Sequence, residues 1–269
     1  MRLLLSTLLS ACAISNSPAA LVAHWRMDEG AGATTIADSS GNGNTASEAG
    51  AGAGLTLGSA GVDGTASSHN GTGFWVTGDN PSFESRDFTV SFWIKADPQT
   101  ATWRTAVSNR AGEDGFIFYR LNGGDNMQFW MKGPGGAGNW NEQVGPNMTD
   151  FNQWYHVVGT YDDSTQEKTF YFHGQSDTWG AFINTITTAG PYVSANDQLG
   201  IGARGPGGAL PWGGGTNEQL LDDVQYYDEA LTASQVEFLF NNPGSVIPEP
   251  SAVALLIGAA TAIGLRRRR

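Results

Sequence analysis

The chain of 269 residues contains a single cysteine, Cys12. Because this cysteine lies in an N-terminal segment that we expect to be removed, the mature protein has no disulfide, no thiolate nucleophile and no cysteine-ligated metal. Its four histidines are scattered, which argues against a histidine-rich metal site, and the motifs Gly-x-Ser-x-Gly and His-Glu-x-x-His do not occur. Stability must therefore come from the core, and several common hydrolytic sites are excluded.

The sequence also lacks the paired carboxylates of a glycosidase. A retaining glycosidase needs two carboxylates about 5 Å apart, as a Glu-x-Asp-x-Glu strand would provide, and no such strand occurs. The nearest approach is Glu218 with Asp222 and Asp223, followed by Asp228-Glu229, and its spacing does not fit. Carboxylates from different strands could still converge, but we predict a protein that is not an enzyme.

Positive charge is scarce. The chain has 14 Lys and Arg against 26 Asp and Glu, and removing Arg2, Glu249 and the four terminal arginines leaves 9 against 25, a net charge of −16. Nucleic acids and anionic membranes both need a basic surface on the protein that binds them. The sequence therefore predicts neither as a partner.

Long hydrophobic runs occur only near the two ends. At the N-terminus Arg2 precedes the apolar residues 3–14 and the small, polar residues 15–20, which is the layout of a secretory signal peptide. We predict cleavage after Ala19 or Ala20. An alternative is that Leu9-Ser10-Ala11-Cys12 is a lipobox, in which case Cys12 would carry a lipid anchor.

The C-terminal segment, residues 246–269, has three parts. Pro248-Glu249-Pro250 forbids a regular helix or central strand, so this tripeptide is predicted to be extended and accessible. The apolar run Ala252–Leu265 would measure roughly 21 Å as a helix, short against a hydrocarbon core of about 30 Å. Arg266, Arg267, Arg268 and Arg269 then close the chain and favour a cytoplasmic C-terminus.

These three parts, in this order, resemble the PEP-CTERM sorting signal of Gram-negative bacteria. The resemblance implies transient insertion of the transmembrane sorting helix and cleavage by an exosortase-type enzyme. It also implies export across the inner membrane to the envelope, the outer surface or the medium. An ordinary tail anchor is the alternative interpretation.

Between these segments, residues 21–245 are predicted to form one all-β domain. Aromatic and β-branched windows alternate with Gly, Pro, Asn and Asp clusters, as in an antiparallel sandwich. The predicted strands cover residues 21–27, 88–96, 105–108, 116–121, 127–132, 154–161, 169–173, 180–186, 198–203 and 220–227. One short helix is predicted over Thr232–Phe240 with Thr232 as its N-cap. We expect the Gly/Ala/Ser-rich stretch Ala49–Ala66 to be poorly ordered.

Several of these segments resemble laminin-G-like and concanavalin A-like domains, and they follow the order found in that family. The resembling segments are 21–25 with 28–30, 38–44, 88–95, 154–161, and 221–227 with 230–231. The resemblance implies an antiparallel two-sheet jelly-roll sandwich.

Calcium is the predicted cofactor. In residues 38–44 oxygen-bearing side chains recur with the spacing of a loop around a hard cation, although the position-12 glutamate of an EF-hand is missing. The family resemblance implies a structural Ca²⁺ held by oxygens of Asp28, Asp38, Asn42 or Asn44, together with Asp222 from the last strand. The alternative is that Asp38, Asn42 and Asn44 are Asx-turn residues.

A carbohydrate site is predicted from tryptophans near polar or glycine-rich loops, because pyranose rings stack on aromatic faces. Trp25, Trp93 and Trp154 lie inside strand patterns and are predicted to be core. The predicted ligand-binding residues are Asn139, Trp140, Asn141, Trp179 and Trp212, and Trp103 also lies near a loop. The alternative for each loop tryptophan is that it closes one end of the sandwich.

Together these features predict a secreted or envelope-targeted, non-catalytic module that binds polysaccharide. Two other classes remain open. A structural or adhesive protein that binds protein partners would show a flat apolar patch. A glycosidase would show two facing carboxylates in a cleft.

Overall fold

β-Strands dominate the part of the chain that the computed structural model describes. That part comprises residues 20–50, 54–98, 103–121, 125–134, 138, 140–194, 197–205, 207–213 and 219–248. It belongs to one compact unit, Ala19–Pro248. The predictions for Cys12, Asn139, Glu249, Pro250 and Arg266–Arg269 lie outside the described residues. Within the described part, no helix has the length and apolar character that crossing a membrane requires.

The strands follow one another along the chain with only short helical segments. They are β1 (Leu21–Trp25), β2 (Thr35–Ile36), β3 (Ala46–Gly50), β4 (Leu55–Ala60), β5 (Thr65–His69), β6 (Gly73–Thr77), β7 (Phe88–Ala96), β8 (Trp103–Ser108), β9 (Phe116–Leu121), β10 (Asn126–Lys132), β11 (Trp140–Asn147), β12 (Tyr155–Asp162), β13 (Glu167–Gly174), β14 (Ile183–Thr187), β15 (Gly200–Ile201) and β16 (Gln219–Tyr227). A 3₁₀ helix (Pro81–Glu84) precedes β7, and the α-helix α1 (Ala233–Asn241) follows β16.

These strands form two antiparallel sheets of eight strands each. The first sheet has the order β14-β13-β12-β7-β16-β5-β4, and β1 also pairs with β16. The second sheet has the order β11-β10-β9-β8-β15-β6-β3-β2. The prediction of an all-β, two-sheet sandwich of jelly-roll type is confirmed.

The strand β16 organises the first sheet. It pairs with β7 along one edge, while its other edge pairs with β5 at Gln219–Leu221 and with β1 at Val224–Tyr227. A bulge between Asp222 and Gln225 separates these two partners, and Asp223 there has a positive φ of 48°. The bulge bends the strand and redirects side chains, which turns both aspartates toward neighbouring loops.

A hairpin joins β12 and β13, and the predicted helix is confirmed. The residues Asp162 and Glu167 pair across the turn between β12 and β13. The helix α1 begins after Thr232, whose side chain accepts a hydrogen bond from the Gln235 backbone in a capping box. Its apolar face is buried and consists of Val236, Leu239 and Phe240.

The main core lies between the sheets and is rich in aromatic rings. Phe118 and Phe129 stack with ring centroids 4.4 Å apart. They do so against Gly159 of the first sheet, where an added Cβ would lie 2.5 Å from Phe129 and 2.6 Å from Phe118. Only glycine leaves room for this stack. Trp25, Trp93 and Trp154 are buried as predicted.

Two expectations are corrected. Part of the stretch predicted to be poorly ordered forms the strands β4 and β5, and β5 is almost entirely buried despite its small, polar residues. The segment around Trp140 is the edge strand β11 and not a ligand loop. Pro146 fits within it because an edge strand leaves one row of backbone groups without a partner strand.

Candidate functional site

Four aromatic side chains lie side by side on the outer face of the second sheet, the face turned away from the core. We call Trp103, Tyr119, Trp130 and Trp140 the aromatic platform. Trp130 pairs with Ile117 of β9 and with Glu142 of β11, and Trp140 pairs with Lys132. Successive side chains of a strand point to opposite faces of the sheet. Because Phe129 and Met131 point into the core, Trp130 between them points to the outer face.

The platform is continuous from one end to the other. Ring centroids are 5.1 Å apart for Trp103 and Tyr119, 5.5 Å for Tyr119 and Trp130, and 6.4 Å for Trp130 and Trp140. The three tryptophans are half-buried, whereas Tyr119 is buried. Trp103 and Trp130 also lie 5.5 Å apart, so Trp103, Tyr119 and Trp130 form an edge-to-face cluster with Trp140 beside Trp130. Each half-buried indole keeps exposed surface that could stack on a sugar ring.

Cationic side chains surround the platform. The Arg110 guanidinium lies 4.3 Å from the centroid of the Trp140 ring, and Lys132 Nζ lies 5.3 Å from the same centroid. Arg110 Nη1 also donates to the Tyr119 hydroxyl at 2.8 Å. Both contacts are favourable, because a guanidinium is attracted to an aromatic face and to a phenol oxygen.

Two arginines, Arg110 and Arg204, act on the Tyr119 hydroxyl. Burial raises the pKa of Tyr119, and the positive charges of Arg110 and Arg204 act in the opposite direction, each with a hydrogen bond to the hydroxyl. The phenol keeps its proton at neutral pH. It can therefore accept from the arginines and retains its own hydrogen as a donor.

Of the predicted ligand residues that the structure describes, only Trp140 lies on this platform. Trp130 and Tyr119 were not predicted, because both fall within strand patterns that otherwise indicate core residues. A usable signal was present, since Tyr119 and Trp130 alternate with the buried Phe118 and Phe129 and must point the other way.

The prediction for Trp212 is wrong. Its side chain is fully buried in the main core, so neither ring face is open to a ligand. Its backbone N–H donates to the Gly202 carbonyl at 2.7 Å. The alternative interpretation, a tryptophan that closes the sandwich, describes Trp212.

Trp179 lies on the other sheet. It is half-buried and stacks on His173, with ring centroids 4.7 Å apart, and it also contacts Phe240 of α1. It therefore helps to cover the outer face of the first sheet and does not share a groove with Trp140.

Asn141 is turned away from the platform. It pairs with the core residue Met131, on the face of β11 opposite Trp140. Its side-chain oxygen accepts from the Ala189 backbone at 3.0 Å, and its carbonyl accepts from the buried Lys168 at 2.8 Å. These contacts tie the two sheets together at one edge, so the structure gives Asn141 a structural position.

A search with protein-family models gives the family. The laminin-G model described as "Concanavalin A-like lectin/glucanases superfamily" matches residues 69–237, which is more than half of the chain. The chain belongs to this superfamily. A search among curated proteins found no match.

Solved structures share the fold of this concanavalin A-like domain. Domain 4 of AbnA, a GH43 extracellular arabinanase from Geobacillus stearothermophilus solved with arabinotriose, has a TM-score of 0.59 and 22% identity, over 82% of this chain and 98% of that domain. The binding domain of Paraclostridial Mosquitocidal Protein 1 has a TM-score of 0.60 and 21% identity, over 82% and 52% of the two chains.

Another similar structure comes from botulinum neurotoxin type C, described as dependent on two ganglioside molecules for cell entry. It has a TM-score of 0.60 and 15% identity, over 82% of this chain and 51% of the toxin chain. The concanavalin A-like chain thus spans about half the length of the toxin domains that it matches. At these identities the likeness shows the fold alone.

Within this concanavalin A-like domain, Asp38 serves the backbone of its own loop. Its carboxylate accepts from the backbone N–H groups of His24, Ser40 and Asn44 at 2.9–3.0 Å. Although burial opposes ionisation, hydrogen bonds from Ser40, His24 and Asn44 lower the pKa of Asp38. The side chains of Asn42 and Asn44 donate to the Val22 carbonyl of β1. These are the contacts of the Asx-turn alternative.

The other two predicted calcium ligands lie against a different loop. Asp28 bonds to Arg26 and to the Thr65 backbone, while Asp222 accepts from the Val62 backbone at 2.7 Å. Within the described residues, no three His, Cys, Asp or Glu side chains are grouped to hold a metal ion. The predicted ligands as arranged do not fit a single Ca²⁺ site. Calorimetric titration of the EDTA-treated protein with Ca²⁺ tests the prediction.

Asp222 and Asp223 differ in protonation although they are adjacent. Burial raises the pKa of Asp222 to about 8, against hydrogen bonds from Val62 and Asp63. Burial also opposes ionisation of Asp223, but its contact with His24 Nε2 at 2.6 Å lowers its pKa. Such a pair would suit acid–base chemistry. Both side chains are sealed from solvent, so a substrate cannot reach them.

A small cleft of about 180 Å³ lies near the start of β12, between Asn147, Tyr155 and Asp177. Asp177 is the only carboxylate among its lining residues, and that carboxylate accepts from the Gly174 backbone at 2.6 Å. The cleft therefore lacks the facing carboxylates of a glycosidase.

Proposed function

We propose that this chain is a non-catalytic polysaccharide-binding module of the bacterial envelope. The observation that carries the proposal is the aromatic platform, where three half-buried indoles cluster with Tyr119 beside arginine side chains. Rings in this arrangement supply stacking surface, and the adjacent polar groups supply hydrogen bonds. The similar structures are consistent with this use, since one was solved with arabinotriose and another concerns ganglioside-dependent entry.

The experiment is a glycan array probed with the wild-type chain, Trp130→Ala and Trp179→Ala. Trp179 is a matched control because it is also half-buried but lies on the other sheet. We expect the wild type to bind a subset of glycans and Trp130→Ala to lose at least about tenfold in affinity, as central aromatic residues of binding sites do. A wild-type protein silent on every glycan would remove the proposal.

We also propose that the chain is exported and that an exosortase-type enzyme removes its C-terminal tail. Contacts at the two ends of the described domain support this proposal. Ala20 exchanges hydrogen bonds with Asp228, and the Ile247 N–H bonds to the Tyr227 hydroxyl, so the described chain enters and leaves beside the same end of β16. Pro248 follows directly and is exposed. Mass spectrometry of protein from the cell surface tests this, and intact Arg266–Arg269 would contradict it.

Binding to protein partners is the second class that the sequence left open. Among the described residues, the exposed large hydrophobic side chains are Val144, Ile183 and Val246. Three single residues do not make the flat apolar patch expected of such an interface. The platform therefore favours glycan over protein as the ligand.

A further inference from the structure

The few positive charges of this acidic protein are concentrated at the platform. Between Leu21 and Ile247 the chain has nine basic residues against 25 acidic ones. Three of the nine, Arg110, Lys132 and Arg204, lie on the platform, together with two carboxylates, Glu113 and Glu142. Basic residues thus outnumber acidic ones at the platform, whereas acidic residues outnumber basic ones in the domain as a whole.

Two arginines elsewhere in the domain are matched by acidic partners. Arg26 pairs with Asp28 and Asp63 at 2.9 and 2.8 Å, and Arg120 pairs with Asp125 at 2.8 Å. These side chains stabilise loops and have no charge left for a ligand.

The platform arginines are less completely paired. Arg204 forms no ion pair within the described part of the chain, and Arg110 has one, to Glu113 at 3.3 Å. Glu113 is 54% exposed, so this pair is weak and easily exchanged for another carboxylate. The Arg110 side chain is 10% exposed, so it and Arg204 offer the platform positive charge that carboxylates of the protein neutralise only in part.

Their geometry is also fixed in advance. Arg110 Nε donates to the Gly112 carbonyl at 2.9 Å, its Nη1 donates to Tyr119, and its plane lies over Trp140. Arg204, which follows β15, also acts on the Tyr119 hydroxyl, while Arg110 follows the neighbouring strand β8. An anion at Tyr119 would meet two cations and a phenol donor with little reorganisation.

We propose that the platform selects polysaccharides that carry carboxylate groups, such as uronic acid polymers. A sugar ring stacks on the exposed indole surface at Trp130, and its carboxylate binds beside Tyr119, near Arg110 and Arg204. This inference rests on the proposed function, because it specifies the ligand class of the same platform. The strongly negative remainder of the protein disfavours a nucleic acid strand, whose charge is denser and would extend beyond the platform.

The test compares acidic oligosaccharides with their carboxyl-reduced counterparts. Tetramers of galacturonate, mannuronate and guluronate, the same three after carboxyl reduction, and a single-stranded DNA 12-mer are titrated calorimetrically into the full chain. The variants are Arg110→Gln, Arg204→Gln and Arg204→Lys, and the matched control is Arg86→Gln. Arg86 is 72% exposed and pairs with Asp163 at the first sheet, so its replacement changes the net charge equally.

We expect at least one acidic tetramer to bind more tightly than its reduced form. Loss of one charge-assisted contact should cost each glutamine variant about tenfold in affinity for the acidic tetramer. The same variants should change affinity for the reduced tetramer by less than about twofold, the lysine variant should fall between, and Arg86→Gln should match the wild type.

Equal binding of acidic and reduced forms would overturn the inference and leave the proposed function standing. Binding of the DNA strand more tightly than every sugar would overturn it as well. Absence of binding to all six tetramers, together with a silent glycan array, would remove the proposed function and this inference with it. Circular dichroism spectra identical to that of the wild type exclude misfolding as the cause of a loss.

Discussion

Both outer faces of the sandwich carry aromatic residues, but a helix covers those of the first sheet and no described helix covers those of the second. On the first sheet Trp93 stacks on His156 with ring centroids 4.7 Å apart, and Phe240 of α1 lies over both. On the second sheet the platform of Trp103, Tyr119, Trp130 and Trp140 has no helix of the described chain above it. We call these the covered face and the open face.

The comparison shows that aromatic density alone does not identify a binding surface. A ring that another element of the chain covers contributes to stability, because its apolar area is removed from water on folding. A ring left half-exposed contributes less to stability and keeps that area for a ligand. The covered face should therefore be sensitive in stability experiments, and the open face in binding experiments.

Truncating Phe240, which covers the first sheet's outer face, should have the largest effect on the free energy of unfolding. Phe240 is 9% exposed and contacts Trp93, His156, His173 and Trp179. Replacing it with alanine leaves a cavity under α1, and we expect the free energy of unfolding to fall by about 3 kcal/mol. Urea denaturation measures this change. A loss below about 1 kcal/mol would mean that α1 does not seal this face.

Acid should act on the first sheet in particular, since all four histidines lie in its strands. Burial lowers the pKa of His69 and of His156 to about 3. The unfolded chain therefore binds protons below about pH 6.5 that the folded chain does not, and each of these histidines lowers stability by about 1.4 kcal/mol per pH unit.

Asp222 opposes one of these histidines, because its pKa is raised to about 8 and the folded state holds a proton that the unfolded state releases. His69, His156 and Asp222 together give an expected net loss of roughly 1.4 kcal/mol per pH unit between pH 6 and pH 4, and the lowered pKa of His173 adds to this loss.

A substitution at His156 isolates the contribution of the covered face to the pH dependence of the free energy of unfolding. His156 faces Ser91, Trp93, His173 and Phe240, and the charge of Asp223 acts on it. Burial lowers the pKa of His173 as well. The substitution His156→Gln should reduce the pH slope of the free energy of unfolding by about one proton. Urea denaturation at pH 6, 5 and 4 gives the slope, and an unchanged slope would contradict a neutral, buried His156.

On the open face, the same kind of truncation should cost little. Trp130→Ala removes a half-buried ring, and we expect a loss of about 1 kcal/mol or less in the free energy of unfolding. Combined with the expected loss of glycan binding, this result would separate the two faces. A loss as large as that of Phe240→Ala would place Trp130 with the core.

The smallest effect concerns the end of the domain. Backbone groups of Gly244, Ser245 and Ile247 bond to Asp223, Gln225 and Tyr227 of β16 and so hold the chain that follows α1. A chain that ends after Pro248 should keep its free energy of unfolding within about 0.5 kcal/mol of the full chain. Ending after Asn242 removes these three bonds and should cost about 1 kcal/mol or more.

The sequence predicted much of the fold where side chains alternate clearly. β7 and β9 have the predicted bounds, and Thr232 caps α1 as predicted. The strands between Ala46 and Thr77 were not predicted, because small residues such as those of β5 give no apolar period. There, burial comes from neighbouring strands and from polar contacts such as Trp75 Nε1 to Ser67 at 2.8 Å.

The site was predicted less well, and the reason is physical. Both Trp140 and Trp212 stand near turn residues in the sequence, yet one lies on the platform and the other in the core. The local sequence determines to which face of a strand a side chain points. It does not determine whether another part of the chain covers that face.

The sequence by itself determined the all-β class, the acidic charge and the burial of Trp25, Trp93 and Trp154, because these depend on composition and alternation. Only the tertiary structure decided that α1 and Trp179 cover one outer face while the other stays open with Arg110 and Arg204 around Tyr119. Those contacts join residues far apart in the chain, and no local pattern encodes which distant segment will remove a given ring from water.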